Sequence, residues 1–301
     1  MAGIMTAARL TQLWEKDLTR EFVDEYDRWP AIITDVCKVE TNNTDHYIKE
    51  GLLATFGAAP QVSDGQAFPF DEFVQGPEKI VYFNEYGFAV QATRVMMEDD
   101  RQDVMKKIAR EQAKAIAYTI ELQGWDLFNS GFSGGTRVGL DGQVLFSSSH
   151  PAYGQGGSTQ SNVITGSLCK LNFQSAVDAF AVLNNERGIP IYAMPPFEVI
   201  VHPKNRWMAE ILGASEYDPD SAGNAINPVK GKFTYRMSPF LTSATTWAVL
   251  DKAMHDLRWI WRRQVKYEPA IDFITGNVLW KAHMRALVTF FHWRGVVGSS
   301  G

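Results

Sequence analysis

Apolar residues recur at Leu10, Leu13, Trp14, Leu18 and Phe22, the spacing of one helical face, and Pro30 stops the pattern. Residues 31–60 mix β-branched and polar positions without a clear period, which predicts an extended arm with little core of its own. Further on the period shortens to two. Residues 66–74 read as a strand and 75–78, Gln-Gly-Pro-Glu, as a turn. Ile80, Tyr82, Asn84, Tyr86, Phe88 and Val90 then form the alternating face of a return strand. Together they predict a long β-hairpin over 62–98. Pro69 cannot donate to a ladder, so its strand belongs at an edge. A two-stranded ribbon of this length is marginal alone in water, and its aromatic faces call for another surface.

The strongest helical pattern runs from 99 to about 128, capped by Asp99 or Asp100 and followed by Gly131. Its length is roughly 40 Å. Val104, Ile108, Ala115, Tyr118 and Leu122 make one apolar stripe. Met105, Ala109, Ala113, Ile116, Ile120 and Leu127 make a second, about 140° around the axis. A helix on a simple surface needs one such stripe, so two predict contact on two sides. Downstream, 168–187 reads as a helix closed by Gly188 and Pro190, and 197–201 as a short buried strand. A helix follows from His202-Pro203 through Leu212, then strands at 232–237, 245–250 and 259–266. A turn at 275–277 splits the remainder into two more segments. Helices and strands mix without βαβ regularity, which predicts an α+β class.

Composition sharpens this picture. The 301 residues include 9 Trp, 10 Tyr and 18 Phe, and many lie on segments too extended to bury them unaided. That points to obligate assembly. The formal charge of −5 lacks the basic footprint of a nucleic-acid reader, and it suits a container that must not adhere to enclosed DNA. No apolar run approaches the ~20 residues of a membrane span, and the N-terminus does not read as a signal peptide. Cys37 and Cys169 stand far apart and are expected to be reduced.

Searches for chemistry return little. There is no Gly-x-Ser-x-Gly elbow and no phosphate-binding glycine loop. Ser147 and His150 are neighbours in a turn-rich loop, where a nucleophile and its base rarely face one another. None of the six histidines has metal-ligand spacing. Asp99 and Asp100 serve as helix caps. Arg258, Arg262 and Arg263 beside Trp259 and Trp261 resemble a nucleic-acid patch, but strand alternation puts the two tryptophans on one face and Arg258 and Arg262 largely elsewhere. No catalytic, cofactor-binding or metal residue is expected, and the chain is not expected to be an enzyme.

The order of elements, an arm, a long hairpin, a long helix and then a mixed region, resembles the Hong Kong 97 phage capsid fold. Several strings are similar to major head subunits of Mu-like tailed phages: residues 84–88 (NEYGF) leading to 93–100 (TRVMMEDD), 139–142 (GLDG) with 145–151 (LFSSSHP), and 293–295 (WRG). The resemblance implies a chain divided as follows: an N-terminal arm at 1–58, an extended loop at 59–98, the spine helix of a peripheral domain at 99–132 and an axial domain at 133–256. Peripheral strands at 257–282 and a C-terminal segment at 283–301 that returns to the axial domain complete it. It implies a major capsid protein that builds the icosahedral head around the double-stranded DNA of a tailed phage, in the virion, after assembly in the host cytoplasm. Partners implied are other copies in pentamers and hexamers, a separate scaffolding protein, a portal, cement proteins and non-specifically contacted DNA, with no membrane. The scaffold is expected to be separate because arm-like sequence begins within about ten residues of Met1. Contacts between subunits are expected at Phe68, Phe70, Phe73, Lys79, Tyr82, Tyr86, Ile116 and Leu122. Lys79 is the only lysine within 62–90, but no acid and acceptor for covalent crosslinking match, so uncrosslinked shells are expected. The alternative of the same fold is the shell of an encapsulin-like cellular nanocompartment; a soluble oligomeric enzyme is the alternative of another class.

Overall fold

The computed structural model describes residues 7–301 apart from 43, 55, 73, 101–102, 134, 136, 154–157, 192–194, 218–225 and 273; 7–15, 74, 94 and 98 are described by backbone alone. In chain order the elements are α1 (Ala7–Asp27), α2 (Ile32–Val36), β1 (Lys38–Thr41), β2 (Tyr47–Ala54), β3 (Val74–Tyr82), β4 (Asn84–Ala92), α3 (Arg94–Glu98) and α4 (Val104–Asn129). There follow β5 (Val163–Ile164), α5 (Lys170–Ala181), β6 (Phe197–Val201), α6 (Arg206–Ala214), β7 (Phe233–Met237), β8 (Trp247–Leu250), β9 (Leu257–Ile271), β10 (Val278–Phe290) and β11 (Val296–Ser299). The chain divides into two units. One comprises Met1–Tyr47, Tyr82–Gly124 and Arg258–Val288, the other Ile48–Val81, Trp125–Leu257 and Thr289–Gly301.

In the first unit the sheet order is β1-β9-β10-β4, with β1 parallel to β9 and β10 antiparallel to β4. Trp259, Trp261, Trp280, Ala282, Met284 and Ala286 along β9 and β10 are buried, and the Trp259 and Trp261 rings meet edge to face at 5.2 Å. Phe22 of α1 stacks on Tyr267 at 4.5 Å, and Glu21 of α1 pairs with Arg110 of α4 at 2.8 Å. Residues 31–36 are not a coreless arm: Ile33 and Val36 are buried, and Ile32 donates its N–H to Glu121 of α4. Gly124 makes room for this, since a Cβ there would stand 2.3 Å from Ile33. Five helical residues are too few to show a period, which is why the sequence concealed α2.

The predicted hairpin over 62–98 is corrected. β3 and β4 are consecutive yet do not pair: β3 pairs with β2 in a two-stranded sheet, and β4 joins β10. Only Phe83 separates them, too short a link for a hairpin turn. Gly76-Pro77 lies inside β3, not at a tip, and a two-stranded ribbon tolerates the missing donor because each strand has a free edge. The true tip is the irregular stretch 56–72, which turns at Asp64-Gly65, with Gly65 at φ +79°. Nor do the described residues of 66–74 form a strand before Val74. The long helix begins later than predicted, after α3. Asp100 caps it, accepting from the N–H groups of Val104 (2.9 Å) and Met105 (3.0 Å).

In the second unit the sheet order is β5-β11-β8-β6-β7, with β6 and β7 parallel and β8 antiparallel to both β6 and β11. Phe173, Ala176 and Phe180 of α5 and Ala209 and Leu212 of α6 share one apolar cluster with Val199, Val201, Phe233, Trp247, Val249 and Val297. Buried Glu198 on β6 is compensated by Arg236 at 2.8 Å and Lys252 at 3.3 Å.

Candidate assembly surfaces

Three arrangements carry the functional reading. The first is α4. Met105, Ala109, Ala113, Ile116 and Ile120 are at most 3% exposed, whereas Val104, Tyr118 and Leu122 are 38%, 55% and 42% exposed. The two predicted stripes exist and differ: Ile116 belongs to the core, and Leu122 faces outward. A further expected contact residue, Tyr86, is partly held in this unit, its hydroxyl donating to Gln123 of α4 at 3.1 Å.

The second is the β2–β3 ribbon and its loop. Leu52 packs with Leu140 and Phe291, and Lys49 pairs with Glu78 across the strands at 2.6 Å. In the loop Phe68 is 81% and Phe70 102% exposed; Phe73 lies outside the described residues. Residues 51–78 carry Asp64, Asp71, Glu72 and Glu78 and no lysine or arginine. Arg187 ties the loop down through Asp71 (3.0 Å) and the Glu72 carbonyl (2.6 Å), while Asp71 also accepts from Gly57 N–H at 3.0 Å. The Gly57 and Glu72 N–H groups and Arg187 hold the Asp71 carboxyl below its usual range. Tyr82 at the end of β3 is 61% exposed. Lys79 turns inward within its own chain. Its ammonium donates to the carbonyls of Val138 and Phe290 and to Thr289 Oγ1, and lies 5.6 and 5.4 Å from the Phe290 and Phe291 rings. Burial pushes its pKa down to about 8.

The third is a buried polar knot in the second unit, where three of the short strings that carried the resemblance, 139–142, 145–151 and 293–295, come together. His150 stacks on Trp293 at 4.0 Å, its Nδ1 is 2.5 Å from Asp141 Oδ2, and its Nε2 is 3.1 Å from Asn162 Oδ1. Asn162 donates to the carbonyls of Leu145 (2.7 Å) and Val296 (3.0 Å) and accepts from Ser147 N–H at 2.9 Å. Arg294 pairs with Glu186 at 2.5 Å, and Gly295, at φ +90°, passes so close to His255 that a Cβ would meet its backbone at 2.5 Å. Both His150 nitrogens are engaged and the ring is 1% exposed, so it is not placed to activate Ser147. The cysteines are free, and burial raises the Cys37 thiol to about 12.

Sequence spacing missed one cluster. Among the described residues, Glu50, Asp256 and His292 bring ligand atoms within 4.8 Å of one another, although Asp256 also accepts from the N–H groups of Phe291 (3.2 Å) and His292 (3.1 Å). The three come from distant parts of the chain, which no local motif records.

Solved structures share this fold. The cyanophage P-SCSP1u capsid matches with a TM-score of 0.60 at 10% identity, over 90% of this chain and 88% of that one. The procapsid of bacteriophage JBD30 matches at 0.54 and 15% identity, over 99% and 76%. A virus-like particle from Pyrococcus furiosus matches at 0.54 and 8% identity, over 95% and 99%. No curated protein matches by sequence. A sequence model of the phage capsid protein family fits residues 77–299, most of the length of the chain. With its helices and sheets arranged as in capsid subunits, the chain belongs to the phage capsid protein family and is a structural subunit of a phage capsid.

Proposed function

We propose that this subunit closes an icosahedral head from pentamers and hexamers around double-stranded DNA, and that it acts without catalysis. In this proposal the first unit serves as the peripheral domain, the second as the axial domain, and the 55–73 loop lies over a neighbouring copy. The observation that carries it is the loop itself, which leaves Phe68 and Phe70 in water. Two exposed phenyl rings on an otherwise acidic loop earn nothing in a monomer and are well suited to a partner surface. A separate scaffolding protein sets curvature, because one chain must fill both five- and six-fold positions; portal and cement proteins complete the particle.

The test is expression followed by negative-stain microscopy and light scattering. Closed particles are expected when the chain is produced with its scaffold; monomers or dimers alone under those conditions overturn the proposal. Replacing 58–70 by a short glycine-serine link should abolish particles and leave a folded subunit. A cut from Asp64 to Tyr86 would not be a fair test, since it removes β3 and the buried Lys79 contacts.

A further inference from the structure

Two features of the second unit are unused by the surfaces above. One is a knob. Trp207, near the start of α6, is 66% exposed, with the Arg206 guanidinium 5.0 Å over its ring and Glu210 4.0 Å from Arg206. The other is a cleft of about 270 Å³ beside α5 and β6. Phe173, Phe197 and Val229 form its floor, and Asp178 and Lys232 stand at its exposed rim. Knob and cleft cannot fill one another within one chain. The segment that forms one wall of the cleft is tied by Gly231 N–H to the Gly213 carbonyl, 3.1 Å away at the far end of α6. Trp207 stands about 9 Å of helix from that point.

We propose that Trp207 of one subunit enters this cleft on the next copy of the chain, an inference that rests on the capsid assembly proposed above. The rims are complementary: Arg206 meets Asp178, and Glu210 meets Lys232. Each desolvates an opposite charge around an aromatic anchor, the composition of an interface hot spot. Knob and cleft are different patches, so the contact runs head to tail, and repetition about an axis closes a ring. This is the geometry that a pentamer or hexamer requires.

The experiment compares wild type with Trp207→Ala, Arg206→Glu, Asp178→Arg and the double variant Arg206→Glu/Asp178→Arg. Particles are counted by electron microscopy and sedimentation, and the unassembled subunit is melted by circular dichroism. Trp207→Ala and each single reversal should lower particle yield by about tenfold or more. The double reversal should restore it to within about threefold of wild type. Single variants that assemble like wild type, or a double variant no better than the singles, overturn the contact while the assembling wild type upholds the capsid proposal. A wild type that never assembles overturns both. Should a charge reversal unfold the subunit, oxidation of Glu210→Cys/Lys232→Cys particles, with Trp207 kept, decides: a ladder of linked chains supports the contact, and its absence, with each single cysteine as control, refutes it.

Discussion

Residues 139–162 and the loop that joins β2 to β3 begin from similar material. Glycine, proline and serine punctuate both, and neither forms a regular helix or strand among its described residues. Their fates are opposite. In 139–162, Leu140, Leu145, Phe146, His150 and Asn162 are at most 4% exposed, and Asn162 alone satisfies three backbone groups. In the loop, Phe56, Phe68 and Phe70 are at least half exposed or nearly so, and Arg187 is the main side-chain tether. The difference is who supplies the partners. Irregular backbone enters a core only when distant segments satisfy its polar groups. Where they do so less, as around Phe68 and Phe70, the apolar side chains stay in water.

The largest effect should come from breaking the buried segment. Asn162→Leu orphans Ser147 N–H and the carbonyls of Leu145 and Val296, so it should cost about 3–5 kcal/mol in chemical denaturation. A loss under about 1 kcal/mol would remove the contrast with the loop.

The same contrast recurs along α4 and can be tested on one helix. Ile116→Asp buries an unpaired charge and should unfold the subunit or cost about 3 kcal/mol or more. Leu122→Asp, 42% exposed in wild type, should melt within about 1 kcal/mol of wild type yet fail to assemble. Equal behaviour of the two variants in both assays would refute a two-sided helix.

On the loop, Phe68→Ser with Phe70→Ser should change subunit stability by about 0.5 kcal/mol or less, because both rings lie mostly in water, while particle yield falls sharply. Unchanged yield would show that the loop is not a contact surface.

The smallest effect concerns Lys79 at the ribbon's base. Its folded pKa of about 8 lies below the ordinary 10.5, so the charged form is disfavoured in the fold. The folded state binds fewer protons between those values, and stability gained from this group rises with pH across that window. Melting of wild type against Lys79→Met should therefore shift in favour of wild type from pH 7.5 to pH 10; a constant difference would contradict the buried-ammonium geometry. The same burial keeps Lys79 from reaching a neighbour, so mature particles should run as one band near 33.8 kDa on boiled gels.

Much of this was legible early. The 3.6-residue period along α4 separates Ile116 from Leu122 in the sequence itself, because helical geometry is local. The 197–201 strand was legible as a short run rich in β-branched residues, and the free cysteines from their isolation. The pairing of β3 was not, because alternation states that a segment is a strand and says nothing of its partner. The same limit hid the His150 knot: Asn162 and Val296 are 134 positions apart, and Glu50, Asp256 and His292 are likewise scattered.

By itself, then, the sequence determined the element types from the long helix onward, that helix's two sides, the capsid family and the surplus of aromatics. Tertiary structure alone decided which helix stripe stays in water, that β2 rather than β4 completes the ribbon, that Lys79 turns inward, and that a turn-rich serine-histidine loop becomes core. Local periodicity follows from backbone geometry within a few residues. Burial depends on partners that the chain brings together only when it folds, and a residue's neighbours in sequence carry no record of them.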